Sequence, residues 1–530
     1  RYSTLEILQR TLNFSIGTDA VPRYGDASFK LNFPTKKAGT FSLFGIGGIS
    51  TIDIVLSDTT IYQPAKLKKN QGSEELYGDQ TRDQYFRTRM GVVGAQHVYS
   101  LTSKAYLSST IAHSIQNINS THFYIDRDSA FRPRLPLPRI TGNNQTENRT
   151  SVALVLNKKI DARSSYKMGI YASMYNFDFI DSVRFSDTAQ FKVRADYQGS
   201  FFLIQPFTQY KYKLKENFTI HAGLHAQYLT LNNNSYSLEP RAGFNWNFKP
   251  KHTLSFGYGL HSQMQPLYVY FARVNTSTEN TPNREMGFTR SQHFVLGYDF
   301  VARRDLRFKV ETYYQNLWGI PVYPFPSGVS MINQGATFTR FFPKTTLVNA
   351  GLARNYGIEF TAEKFFSSNY YVLWTTSLYQ SEYKGSDNVW RSTDFNGNYI
   401  TNMLAGYELP LGKSKRTVLV TGTKFTYAGG RRYTEADIDS SFAYLDYQPK
   451  EGEFNKKQFS DYIRFDIRLG VRINAKRTTH ELIIDLINVL NTRNPLALTF
   501  SPNPNNKTAN PIKKNYQLGF LPLFYYKIDF

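Results

Sequence analysis

Three histidines on the polar faces of two strands, His221 and His225 on one and His261 on the other, offer the first candidate chemistry in this sequence. In residues 217–230, Thr219, His221, Gly223, His225 and Gln227 alternate with Phe218, Ile220, Ala222, Leu224, Ala226 and Tyr228, so the two sets face opposite ways. Residues 252–264 repeat the split, placing Ser255, Gly257, Gly259, His261 and Gln263 on the polar side. Imidazoles on alternate residues can chelate a metal. A complete site needs further thiolates, imidazoles or carboxylates in a set spacing, and the chain has no cysteine and no such carboxylate pattern, so no metal and no cofactor is assigned. Between these segments SLEPRAGFNWNF sets Glu239, Arg241, Gly243, Asn245 and Asn247 against Pro240, Ala242, Phe244, Trp246 and Phe248. Glu239 and Arg241 on one face can form a wall ion pair or anchor something against it. Asp437 and Asp439 in TEADIDSS lack the glycine and terminal glutamate of an EF-hand loop. No Ser/His/Asp set or carboxylate pair stands out from this general polarity, which points away from an enzyme.

These side chains need elements that show two environments at once. Residues 514–530 close the chain in the same way, with Phe520, Pro522, Phe524, Tyr526, Ile528 and Phe530 on one face and Tyr525, Lys527 and Asp529 on the other. A soluble edge strand does not expose such a row; a lipid-facing strand does. Mean hydropathy is −0.44 and no apolar run reaches the length of a spanning helix. Strands that hide their apolar residues at every second position explain both, with 38 Tyr and 41 Phe supplying lipid-facing and interfacial rings. The expected fold is all-β, a transmembrane antiparallel β-barrel. No linker or composition shift divides its 530 residues into domains. A formal charge of +22 without a helix-turn-helix, zinc-finger or RNA-binding signature suits a phosphate-rich membrane surface and no nucleic acid.

Alternating segments are expected at 26–34, 38–50, 83–98, 104–118, 145–158, 164–177, 199–214, 217–230, 236–248, 252–264, 288–301, 305–317, 349–364, 369–382, 397–410, 415–428, 460–474, 478–491 and 514–530. Short connections such as LKEN and KPKH largely alternate with long ones, including 51–82, 119–144, 265–287 and 429–459. Outer-membrane barrels keep short turns in the periplasm and long loops outside, so the last strand descends and the C-terminus is periplasmic. About nineteen strands are then part of a barrel of twenty-two, with three strands upstream, residues 1–25 ending an upstream strand and its loop, and a signal peptide removed or further upstream. Any ligand arriving from outside would meet the long loops first. Arg127, Arg132, Arg134 and Arg139 lie in one, Tyr268, Tyr270 and Phe271 in a second, and Arg431, Arg432, Tyr433, Phe442 and Tyr444 in a third. Arginine with aromatics binds anionic or ring-bearing ligands, and it equally suits lipopolysaccharide phosphates and an interfacial girdle.

The blocks FTIHAGLHAQYLTLNNNSYSLEPRAGFNW, LSFGYGLHSQMQPLYVYF, NYGIEFTAEKFF, YIRFDIRLGVRIN, ELIIDLINVLNTRNP and FLPLFYYKIDF resemble the barrel portion of TonB-dependent outer-membrane receptors, most of all those of Bacteroidota. The resemblance covers nearly the whole chain and makes 26–530 the barrel domain. It implies a plug inside the barrel, energy from an inner-membrane complex delivered through TonB, assembly by the barrel-assembly machinery, and uptake of a scarce or bulky nutrient. His221, His225, Glu239, Arg241, Asn245, His261 and Gln263 would then face the plug. Arg127, Arg132, Arg134, Tyr268, Tyr270, Arg431, Arg432 and Tyr433 would meet substrate. A passive porin, or a structural barrel within a larger envelope assembly, is the alternative.

Overall fold

Two-faced strands of this kind satisfy their backbone only by pairing with one another, and the chain does so almost throughout. The computed structural model describes residues 23–59, 81–184, 190–274, 281–335, 342–343, 345–444, 446–503, 506 and 508–530. The expected upstream strand at the start of the chain lies outside them. The first run of strands is β1 (Arg23–Pro34), β2 (Thr40–Ile54), β3 (Arg82–Thr102), β4 (Ala105–Tyr124), β5 (Arg139–Lys159), β6 (Ser164–Val183), β7 (Lys192–Lys215), β8 (Phe218–Leu229), β9 (Tyr236–Lys249) and β10 (His252–Gln263). Then follow β11 (Thr289–Arg303), β12 (Leu306–Val322), β13 (Val348–Ser367), β14 (Tyr370–Lys384), β15 (Trp390–Ser392), β16 (Tyr399–Leu411), β17 (Thr417–Ala428), β18 (Arg432–Tyr433), β19 (Lys457–Gln458), β20 (Tyr462–Asn474), β21 (Thr479–Ile487), β22 (Pro495–Phe500), β23 (Ile512–Tyr516) and β24 (Leu521–Asp529). Helical turns α1 (Leu267–Tyr270) and α2 (Ile438–Tyr444) sit in two of the connections.

One antiparallel sheet of 20 strands contains all of these except the hairpins β18–β19 and β22–β23. Its smallest member, the three-residue β15, is a flap on the end of β14, which leaves nineteen wall strands in sequential order. Each coincides with an expected strand. The difference lies in extent: β3 to β7 run 20 to 24 residues, longer than their alternation suggested. The expected strand 514–530 divides into the end of β23 and the wall strand β24. Among the described residues, β1 pairs only with β2 and β24 only with β21, so each end strand keeps one edge unpaired.

Register fixes the faces, because directly opposed residues share a side. Ile220 opposes Phe244, which opposes Phe256, and Leu224 opposes Pro240. Rings of Phe218, Phe244 and Phe256 stack along this face with centroids 5.6 and 5.9 Å apart. Phe524 and Tyr526 are 59% and 65% exposed on the corresponding face of β24, an arrangement tenable only beside lipid. The opposite, lumen face carries the polar partners. At one end of the wall every connection has two to five residues; at the other each has six or more. Tight turns impose the left-handed backbone expected of two-residue hairpins, as at Ser368 (φ 53°) and Asn369 (φ 70°). In the turn after β1, Gly39 has φ 80° and a Cβ there would meet the Val98 carbonyl oxygen at 2.2 Å, so only glycine fits.

Candidate functional site

On the lumen face of β8 to β10 the alternation converges on one carboxylate. His225 opposes Glu239 and Gln227 opposes Ser237, so the donors on β8 are level with the acid on β9. Glu239 is 1% exposed and accepts from His225 Nδ1 at 2.8 Å, Gln227 Nε2 at 2.6 Å, Ser237 Oγ at 2.9 Å and Arg241 Nη2 at 3.1 Å. Gln227 extends the network, donating also to the Ser262 carbonyl on β10 at 2.9 Å and accepting from Gln205 on β7 at 2.9 Å. Four strands are thereby tied together by one fully satisfied buried acid. Of the seven expected lumen residues, His225, Glu239 and Arg241 belong to this network. His221 lies 3.2 Å from Asn245 Nδ2 through its Nε2. His261 packs beside His293 of β11, ring centroids 4.7 Å apart, and Gln263 ends β10 opposite Thr289. The imidazoles thus have separate partners, and among the described residues no group of three or more His, Asp or Glu side chains is arranged to hold a metal.

Above this network the wall changes height. β7 pairs with β6 from Lys192 onward, but β8 reaches only as far as Leu203, leaving a notch beside the upper part of β7. Residues 264–274, which follow β10, fill it. Ala272 bridges to Ala195, and Arg273 N donates to the Arg194 carbonyl at 2.8 Å. Leu267, Val269, Tyr270 and Phe271 then pack into a core with the lumen-facing Tyr175, Phe177, Phe179 and Phe201. Tyr197 and Phe271 stack with centroids 3.5 Å apart. The long connection 323–347 joins the same core through Tyr323, Met331 and Leu347. Part of the mouth is therefore closed by a hydrophobic core built on the polar side of the wall. The sequence signal is the alternation Tyr175, Phe177, Phe179, which puts aromatics on the face that is otherwise polar.

This arrangement decides what the loop candidates touch. Tyr270 is fully buried, its hydroxyl accepts from Gln265 N at 3.1 Å, and burial pushes its phenol pKa up. Tyr268 packs on the edge of the core with its ring 6.0 Å from Phe342. Arg127 stitches two connections, donating to the Leu56 carbonyl at 2.8 Å and the Phe131 carbonyl at 3.1 Å. Arg132 and Arg134 are exposed, the latter 3.1 Å from Asp126. Arg432 donates to Asn396 O at 3.2 Å and Asn398 Oδ1 at 2.9 Å, while Tyr433 stacks on Phe459 at 4.4 Å. Arg431 contributes its charge beside Asp394, whose carboxyl is raised above the ordinary aspartate range, chiefly by burial, although Asn455 Nδ2 donates to it at 2.6 Å. Asp437 caps α2, accepting from Ser440 N at 2.9 Å. The structure brings Arg431, Arg432 and Tyr433 together with the connection 385–398 and leaves the Arg132 and Arg134 pair on a separate loop.

Comparison with known proteins follows this architecture. The family described as "TonB dependent receptor-like, beta-barrel" matches residues 23–491. No curated protein is similar in sequence. Among solved structures, the ferric-catecholate import receptor Fiu from E. coli superposes with a TM-score of 0.66 at 10% identity, over 96% of this chain and 75% of that one. The ferric yersiniabactin uptake receptor FyuA from Yersinia pestis gives 0.65 at 12% identity, over 96% and 71%. The pyoverdine outer-membrane receptor FpvA from Pseudomonas aeruginosa gives 0.64 at 10% identity, over 96% and 71%. At these identities the likeness establishes a common fold.

Proposed function

The chain belongs to the TonB-dependent receptor β-barrel family, and from that premise we propose that it imports a scarce or bulky nutrient across the outer membrane with energy delivered through TonB. The family is one of outer-membrane receptors and transporters, not enzymes. The observation that carries the reading is the partly closed mouth: long connections fold back onto lumen-facing aromatics and form a buried core, a construction suited to admitting a recognised ligand. A passive porin needs a lumen kept open to water. Under this reading the residues at the mouth divide by exposure. Arg132 and Arg134 are available to a ligand, whereas Tyr270 and Arg127 act through the shape of the rim. His221, Arg241, Asn245, His261 and Gln263 face a lumen that a plug would occupy in a Bacteroidota-type receptor. Among the described residues one edge of β1 and one of β24 are unpaired, which suits three further strands between them. Lipopolysaccharide would surround the outer rim, with the long connections extracellular and the C-terminus periplasmic.

Genetic interaction tests this without knowledge of the cargo. Deleting the gene and deleting the TonB complex should produce the same growth defect on a limiting nutrient, and the double deletion should be no worse than either. Additive defects, or uptake that survives collapse of the proton-motive force, would overturn active transport in favour of a porin or scaffold.

A further inference from the structure

Charge is divided unequally between the two ends of the wall. The nine short turns read TKKAG (35–39), SK (103–104), IDAR (160–163), EN (216–217), PK (250–251), RD (304–305), SN (368–369), GKSKR (412–416) and AKRT (475–478), eleven lysines and arginines against three acids. The long connection 429–461 holds five against seven. All eleven turn cations are exposed. Two of the acids are already engaged: Asp161 accepts from Arg163 N and Ser164 N at 2.7 and 2.8 Å, and Asp305 takes Lys364 at 3.3 Å and the Ser367 hydroxyl at 2.6 Å. Lysine is kept even where the backbone suits another residue, since Lys251 has φ 70° and Lys415 φ 52°, left-handed positions that glycine or asparagine adopts with less strain. Each turn lies wholly among the described residues and stands at the edge of the wall, so its composition does not depend on what fills the lumen.

The lipid face beside these turns carries the marks of a membrane interface. His252, next to Lys251, stacks on Phe300 with ring centroids 4.6 Å apart and lies 2.7 Å from the Tyr298 hydroxyl. His480, two residues past AKRT, lies 2.7 Å from the Tyr526 hydroxyl. His97 stacks on Phe41 at 4.2 Å and reaches the Ala38 carbonyl of TKKAG at 2.6 Å. Rings with an apolar body and a polar tip settle at headgroup depth. One step beyond Leu156 on the same face, the exposed Lys158 is level with Tyr166, itself level with Tyr210. From such a position a lysine reaches headgroups over its apolar stem.

We propose that the short-turn rim binds the anionic phospholipid headgroups of the leaflet beside it, most strongly at the neighbouring turns 412–416 and 475–478. Asn474 N donates to the Arg416 carbonyl at 2.8 Å between these turns, which bring five cations together without an acid. Carboxylates on the strands around them are engaged, Glu408 and Glu481 by Arg472 at 3.0 and 3.1 Å and Asp529 by Lys527 at 2.8 Å. An acidic protein would select one patch. Cations in seven of the nine turns match an anion that repeats around the whole rim, as lipid phosphate does. Such a collar fixes the depth at which the barrel sits. It rests on the barrel fold and is independent of energised import.

The test uses the full-length protein, purified folded from outer membranes and reconstituted in phosphatidylcholine vesicles, with spin-labelled phosphatidylglycerol and phosphatidylcholine as probes. Electron spin resonance gives the relative association of the two lipids with the protein. Phosphatidylglycerol should be preferred about fivefold at low salt, the factor equivalent to roughly 1 kcal/mol for one lysine or arginine contact. The preference should fall toward unity in about 1 M salt. K413Q/K415Q/R416Q/K476Q/R477Q should lower it by about half, since nearly half of the turn cations are gone. K413R/K415R/K476R keeps every charge and should match the wild type, as should K450Q/K456Q/K457Q in the connection 429–461. Heat-modifiable migration reports folding of each variant, and K476Q/R477Q carries the same test in one turn if the larger replacement does not fold. Equal association of the two lipids, a preference that survives high salt or the loss of the short-turn cations, or one lost equally in K450Q/K456Q/K457Q would overturn the proposal.

Discussion

Glu239 is a carboxylate almost without water, and its four donors come from β8 and β9 alone. Glu239→Ala removes the acceptor they share. The cost should be about 1–3 kcal/mol for each buried donor left unsatisfied, with a smaller share from Arg241, which is partly exposed and screened. Glu239→Gln keeps two of the acceptor positions and should cost less. Folding yield in outer-membrane vesicles, read by heat-modifiable migration, checks the order; equal yields for the two variants would deny the network a structural role. Asp394 offers a pH test on the rim. Its folded pKa is raised by burial, so the stability it contributes is full below the ordinary aspartate value and is lost as pH rises through the raised one. Protease resistance of the connection 385–398 should therefore fall across that window in the wild type, and the fall should be smaller in Asp394→Asn.

Each wall strand separates lipid from lumen by parity alone, so a single residue step changes the consequence of a substitution. Leu224→Arg places a charge on the lipid face and should cost about 2–4 kcal/mol of assembly near the bilayer midplane, whereas Asn245→Arg on the lumen face should be tolerated. Similar yields of the two in vesicles would contradict the faces. The described start of the connection after β10, residues 264–274, behaves as an element of the wall. Phe271→Ala should cost about 3–5 kcal/mol as a buried aromatic truncation and expose that connection to protease. An unchanged cleavage pattern would show the notch to be sealed by something else. Strand positions and faces were legible in the sequence because alternation is a local pattern, read without knowing any partner. Glu239 and Arg241 were placed on one face for the same reason. Strand height was not legible: at the tops of β6 and β7 the lumen face turns aromatic to meet Phe271, and that contact depends on residues about seventy to ninety-four positions away in the chain. The stitching of Arg127 and Arg432 to distant carbonyls was invisible on the same ground, since a loop arginine looks alike whether it meets ligand or backbone.

The outer face of the whole wall carries its own record of where the membrane lies. On β3, β4 and β5 the half near the short turns sets Ala95 level with Ile111 and Val152, and Gly91 with Ile115. Toward the long connections the same face becomes Arg89 with Asn117 and Thr146, then Arg87 with Asn119 and Asn144. Strands of 20 or more residues, tilted about 40°, rise roughly 50 Å, while the apolar band of such barrels is about 25 Å tall. The wall therefore stands proud of the bilayer on the side of the long connections, where the aromatic core and the hairpins β18–β19 and β22–β23 add further bulk. That is the side expected to face outward. The 530 residues contain no cysteine, so a thiol introduced among them is the only maleimide target they carry, and its reactivity reports the orientation. Leu135→Cys, at a position 77% exposed in the connection 125–138, should react with a membrane-impermeant maleimide on intact cells. Lys413→Cys, in the short turn between β16 and β17, should react only after the outer membrane is opened. The reverse pattern would place the long connections in the periplasm, and with them the closed mouth, so that the direction of uptake could not hold.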